Sequence, residues 1–98
     1  MGIQQHNPPH PGGFIKRNYL EPFNLGSNQV ADKLQVSHST LNRLINEKSD
    51  VSPEMALKLS KVLGRSAESW LAMQDNFNLW KAKQEIDLST YESIKFAV

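Results

Sequence analysis

The chain has 98 residues, 39% of them apolar, a net charge of +1 and no cysteine. That is material for one hydrophobic core, and it excludes a disulfide framework, a thiolate metal site and a cysteine nucleophile. No apolar run approaches the roughly 18 residues of a membrane helix and the N-terminus lacks an apolar signal segment, so a cytoplasmic protein without membrane association is expected.

Residues 1–10, MGIQQHNPPH, hold prolines and no periodic apolar pattern, and they read as a flexible arm. From Gly12 the pattern turns helical. Phe14, Ile15, Tyr19 and Leu20 form a stripe, and Pro22 ends the helix near Leu20. After the loop Asn24-Leu25-Gly26, Ser27 stands in the N-cap position of a second helix carrying Val30, Ala31 and Leu34. Ser37 caps a third helix, with Leu41, Leu44 and Ile45 at i, i+3 and i+4. Ser52-Pro53 opens a fourth, because serine caps and proline fits the first turn. Met55, Ala56, Leu59, Val62 and Leu63 bury it, and Gly64 stops it. Ser66 caps a long fifth helix to about Gln84, with Trp70, Met73, Phe77 and Trp80 as its stripe. The end of the chain, Ile94 to Val98, alternates weakly, as a short strand or an ordered tail would. The expected organisation is all-α: an arm (1–10), a compact five-helix domain (11–84) and a tail (85–98).

The informative stretch is SNQVADKLQVSHSTLNRLINEK, Ser27 to Lys48. Two short helices flank Gln35-Val36-Ser37. Val30, Leu34, Val36, Leu41 and Leu44 close one apolar cluster, and Ala31 is small where the helices cross. This is helix-turn-helix spacing, in which the second helix enters the major groove of DNA. At 100° per residue, Leu44 and Ile45 fall within about 60° of Leu41. Ser39, Asn42, Arg43 and Asn46 lie about 100° to 200° away. All four can hydrogen-bond and none is acidic. Arg43 has the fork for guanine, and asparagine the amide for adenine. Ser37, His38 and Thr40 occupy the helix start, the end that approaches bases in this motif. Lys48 is placed to hold a phosphate, as are Gln29 and the amides opening the preceding helix. An ordinary solvated face would be richer in long helix formers such as Glu and Lys.

Charge is divided along the chain. Residues 10–65 hold eight Lys/Arg against five Asp/Glu; residues 66–98 hold three against five. No glycine-rich phosphate loop, paired-histidine zinc motif or nucleophile elbow occurs. His6, His10 and His38 are scattered, so neither a metal site, a cofactor nor an enzyme is expected. Trp70, Phe77 and Trp80 offer more apolar area than a domain this small covers easily, which marks them as a candidate dimer interface.

With HPGGFIKRNYLEPF, the helix-turn-helix, VSPEMALKLSKVLG and SAESWLAMQDNFNLWKAKQ in place, the chain resembles the HigA family of antitoxins. That family, also called virulence-associated protein I, lies within the lambda-repressor-like group. The matching pieces run from His10 to Gln84. The resemblance implies a homodimer that represses its own operon and neutralises an mRNA-cleaving ribonuclease toxin. A stand-alone regulator without a toxin is the alternative. Gln35 stands where the family usually has glycine. A dimer should read a near-palindromic operator, since one motif spans too few base pairs for typical specific affinity. The acidic tail residues Glu85, Asp87 and Glu92, with apolar Ile94, Phe96 and Val98, suit a basic toxin.

Overall fold

The computed structural model describes residues 7–97. The chain forms α1 (Pro11–Ile15), α2 (Ser27–Leu34), α3 (His38–Ile45), α4 (Pro53–Val62) and α5 (Ala67–Glu85). This is the expected five-helix, lambda-repressor-like arrangement. Three of the expected serine caps are made. Ser37, Ser52 and Ser66 each accept a hydrogen bond from the backbone N–H three residues on, at 3.0–3.1 Å. Proline begins both α1 and α4, where its missing N–H costs nothing.

Four local expectations need correction. The N-cap of α2 is Gly26, not Ser27. Gly26 has the extended backbone of a cap, and Gln29 Oε1 turns back to accept its N–H at 3.0 Å. The arm ends earlier than its pattern suggested. Residues 1–6 lie outside the described residues, but His10 is buried and caps α1, its Nδ1 accepting the Gly12 N–H at 2.9 Å. Trp70 has no surface left for a partner, being 0% exposed within its own chain. Finally, the described part of the tail forms no strand. It makes one 3-10 turn at Leu88–Thr90 and is otherwise irregular and exposed.

The first helix continues past Ile15 as a π turn, Lys16–Leu20, with Glu21 N–H bonded to the Lys16 carbonyl. In α-helical winding Leu20 would point about 140° away from Ile15. In i→i+5 winding five residues complete roughly one turn, so both Ile15 and Leu20 face inward. The core they join contains Val30, Ala31, Leu34, Leu41, Leu44, Val51, Ala56, Leu59, Trp70 and Met73. Trp70 occupies its centre. The indole N–H donates to the Gly64 carbonyl at 2.9 Å, and Phe14 meets the ring edge-on at 6.0 Å. The Arg65 guanidinium covers both rings, 5.1 Å from Phe14 and 5.6 Å from Trp70.

Candidate nucleic-acid interface

The turn between α2 and α3 sets the angle of the whole interface. Gln35 takes φ 59° and ψ 44°, the left-handed conformation that usually favours glycine. The Val36 N–H then bonds to the Ala31 carbonyl at 3.1 Å, closing α2. The motif turn is therefore kept despite the glutamine, at roughly 1 kcal/mol of backbone strain. Val36 packs on the core, and α3 starts at once from the Ser37 cap.

One side of α3 is anchored firmly. Leu41 and Leu44 are 0% and 1% exposed. Gly12 of α1 lies against the Leu44 backbone so closely that a Cβ there would overlap the carbonyl oxygen. That approach explains a glycine in a helix, where it costs about 1 kcal/mol relative to alanine. Pressed by α1 on one side and α2 on the other, α3 holds its opposite face at a fixed height.

That face carries the expected side chains. Ser39, Asn42, Arg43, Asn46 and Lys48 line one shallow open depression. Lys48 joins it because Glu47 turns left-handed, φ 62°, and the Lys48 N–H bonds back to the Arg43 carbonyl at 2.8 Å. Among the described residues, neither Arg43 nor Lys48 is engaged in an ion pair. The other candidates are tied into the scaffold. Ser37 Oγ donates to Thr40 Oγ1 at 2.7 Å while accepting the Thr40 N–H, and Thr40 is half-buried. His38 Nε2 donates to Asp32 Oδ1 at 3.0 Å, which aims the ring back at α2. Gln29 spends its oxygen on the Gly26 cap and keeps only its amide N–H groups free. The nine candidates thus divide into five on one surface, where Ser39 Oγ lies 3.2 Å from Ser37 Oγ while Asn42, Arg43, Asn46 and Lys48 make no side-chain hydrogen bond among the described residues, and four that build its rim.

Sequence reasoning missed a polar brace behind this face. Gln74 of α5 is buried; its Oε1 accepts the Val51 N–H at 2.8 Å and its Nε2 donates to Asn78, which donates to Asp50. The brace fixes the loop after α3 to α5. Beside it His10 meets Phe77 edge-on at 4.9 Å, with Asp50 3.9 Å from Nε2. Burial holds the His10 pKa below the ordinary imidazole value, against the pull of Glu47 and Asp50. For Gln74 the sequence signal was a polar residue four positions after Trp70, in the register of a core stripe; His10, in the non-periodic N-terminal stretch, carried none.

This geometry defines a helix-turn-helix protein, and residues 17–70 match the family model described as helix-turn-helix. The chain is 43% identical over 74 residues to virulence-associated protein A of Dichelobacter nodosus, covering 74% of this chain and 72% of that one. It is 32% identical over 83 residues to antitoxin HigA-1 of Vibrio cholerae, covering 85% and 78%. The structure of the Pseudomonas aeruginosa antitoxin HigA with the higBA promoter superposes with a TM-score of 0.75 at 29% identity, over 80% of this chain and 85% of that one. The chain belongs to the HigA/virulence-associated protein family of helix-turn-helix antitoxins and regulators, which are not enzymes. No helix of the described residues is long and apolar enough to cross a membrane.

Proposed function

We propose that this protein is a cytoplasmic antitoxin. As a homodimer it binds a near-palindromic operator in its own promoter, and it neutralises an mRNA-cleaving toxin. The observation that carries the DNA reading is the surface of α3. Ser39, Asn42, Arg43 and Asn46 stand on a helix whose other side is fully packed, with Lys48 at its end. Side chains on so fixed a backbone suit readout of base edges, with Arg43 forking onto guanine and an asparagine onto adenine. Lys48, the Gln29 amide and the amides opening α2 hold phosphates and set the register. His38, Ser37 and Thr40 shape the leading end of the helix. The Asp32–His38 pair matters here, since it keeps an exposed carboxylate partnered beside a surface meant for phosphates.

Two copies would place their recognition helices about 34 Å apart, one turn of B-DNA. Phe77 and Trp80, half-buried on α5, remain candidates for the dimer surface; Trp70 does not. Toxin binding is supported by the likeness to antitoxin HigA-1. Co-expression with the neighbouring reading frame tests it. A small basic ribonuclease should co-purify and lose its mRNA cleavage in the complex. A neighbour that neither binds nor cleaves RNA would leave a stand-alone regulator.

A further inference from the structure

A groove between α2 and α4 shares no lining residue with the α3 depression. Its apolar part is Val30, Val62 and Leu63, with Leu25 of the preceding loop, and its polar part is Gln29, Lys33 and Lys61. It holds about 450 Å³, a size typical of small-molecule sites, which are mostly apolar with a few polar groups. Gln29 and Lys33 stand one turn apart on α2, so they share a face, and Lys61 joins them from α4. Gln29 Oε1 already accepts the Gly26 N–H. What the polar part still offers is one amide NH2 and two ammonium groups, all donors, and no carboxylate lines the groove. Neither lysine is in an ion pair among the described residues, whereas Lys58 of the same α4 is held by Glu54 at 3.5 Å. Donors without acceptors beside an apolar wall select an anion carried on an apolar body.

The geometry points to a binding site for a small carboxylate on an apolar chain, whose occupation weakens the hold on the operator. The chain lies along Val30, Val62 and Leu63. The carboxylate sits between Lys33 and Lys61 and accepts a hydrogen bond from the Gln29 amide. The effect on DNA rests on the proposed function, in which that amide and the opening of α2 hold phosphates. A carboxylate beside Gln29 sets a negative charge next to those phosphates and cancels part of the field of the two lysines, so ligand and operator disfavour each other. By linkage the operator weakens the ligand by the same factor. The site lies on α2 and α4, so it gives the motif an input that leaves the side chains of α3 in place.

The test uses the full chain and octanoate as the probe. Acetate supplies the charge without the chain, and octanol the chain without the charge. Added to the isotope-labelled protein without DNA, octanoate should shift the amide resonances of Val30, Lys33, Val62 and Leu63 first, with a Kd on the order of a millimolar, as suits so few atoms. Acetate and octanol should bind about tenfold more weakly or less. Lys33→Gln with Lys61→Gln, both exposed, should keep the fold and lose the octanoate shifts. In fluorescence anisotropy at constant ionic strength, saturating octanoate should weaken operator binding by wild type about fivefold and leave the double variant unaffected. Shifts confined to α5 and residues 86–97, or equal for octanoate and octanol, would overturn the site. Shifts in the groove with unchanged operator affinity would overturn its regulatory role. A wild-type chain without operator affinity would overturn the proposed function and the coupling with it, while the shifts read the site by itself.

Discussion

The α3 surface and the end of α5 are both exposed, yet they are built in opposite ways. On α3 short polar side chains stand on a backbone pinned from behind by Leu41, Leu44 and the Gly12 crossing. At the end of α5 large apolar side chains hang on a segment with nothing behind it. A surface that reads hydrogen-bond patterns needs its donors held in place before the partner arrives, because ordering them on binding would cost affinity. A surface that only needs apolar cover can be ordered by the partner itself. On the proposed function, the molecule is rigid where base readout would require it and exposes its apolar segment where area would be enough.

The largest effect that could break this comparison is at the anchor. Leu41→Ala should cost roughly 2–5 kcal/mol, through lost burial and the cavity it leaves. A melting temperature within a degree of wild type would mean that α3 is not held as described. Gly12→Ala comes next, at about 1–3 kcal/mol, because a Cβ would have to displace the Leu44 carbonyl and with it the base of α3. Urea titration should show the loss, and a variant as stable as wild type would remove the close crossing. A smaller effect of opposite sign is expected at the turn. Gln35→Gly should gain up to about 1 kcal/mol by relieving the left-handed strain, less the extra entropy of glycine in the unfolded chain. Destabilisation by this change would show that the glutamine side chain contributes something its geometry does not reveal.

The pH dependence touches neither surface directly and serves as a control on the brace between them. Burial lowers the His10 pKa in the folded state, so the unfolded chain takes up a proton first. The stabilising contribution of neutral His10 is therefore complete above about pH 6.5, the ordinary imidazole value. It is lost as pH falls through the lower folded value. Protonation would also break the cap, since Nδ1 could no longer accept the Gly12 N–H. Melting at pH 7.5 and pH 5 should show a fall for wild type and a smaller one for His10→Asn, which can cap at either pH. Equal falls would place the acid sensitivity elsewhere.

Much of the recognition half was legible in the sequence, for a physical reason. Its helices are short, separated by serine caps, and apolar on one side, so Leu41 and Leu44 announced their burial and Arg43 and Asn42 their exposure. The α5 half was less legible. Tryptophans ten residues apart share a stripe, and periodicity cannot say that Trp70 is enclosed by Phe14, Tyr19 and Arg65 while Trp80 is half open. The Gln74 brace and the His10 cap escaped because a buried polar residue is recognised by its partners. For Gln74 that partner, Val51, is 23 residues away; His10 caps Gly12 only two residues on, but Phe77, which packs on its ring, is far along the chain. The π turn escaped too, since Lys16–Leu20 fits ordinary helical spacing everywhere except at Leu20.

The central claim is that α3 reads bases while its surroundings hold phosphates. Fluorescence anisotropy on a duplex from the protein's own promoter, titrated at several salt concentrations, separates the two. Arg43→Ala should lose about 1–3 kcal/mol on the operator and relax the preference at one base position, with little change in affinity for random DNA. Lys48→Ala should weaken both duplexes alike and lower the slope of log K against log salt by about 1. Wild-type affinity and wild-type discrimination in the Arg43 variant would contradict the assignment of α3 as the reading helix.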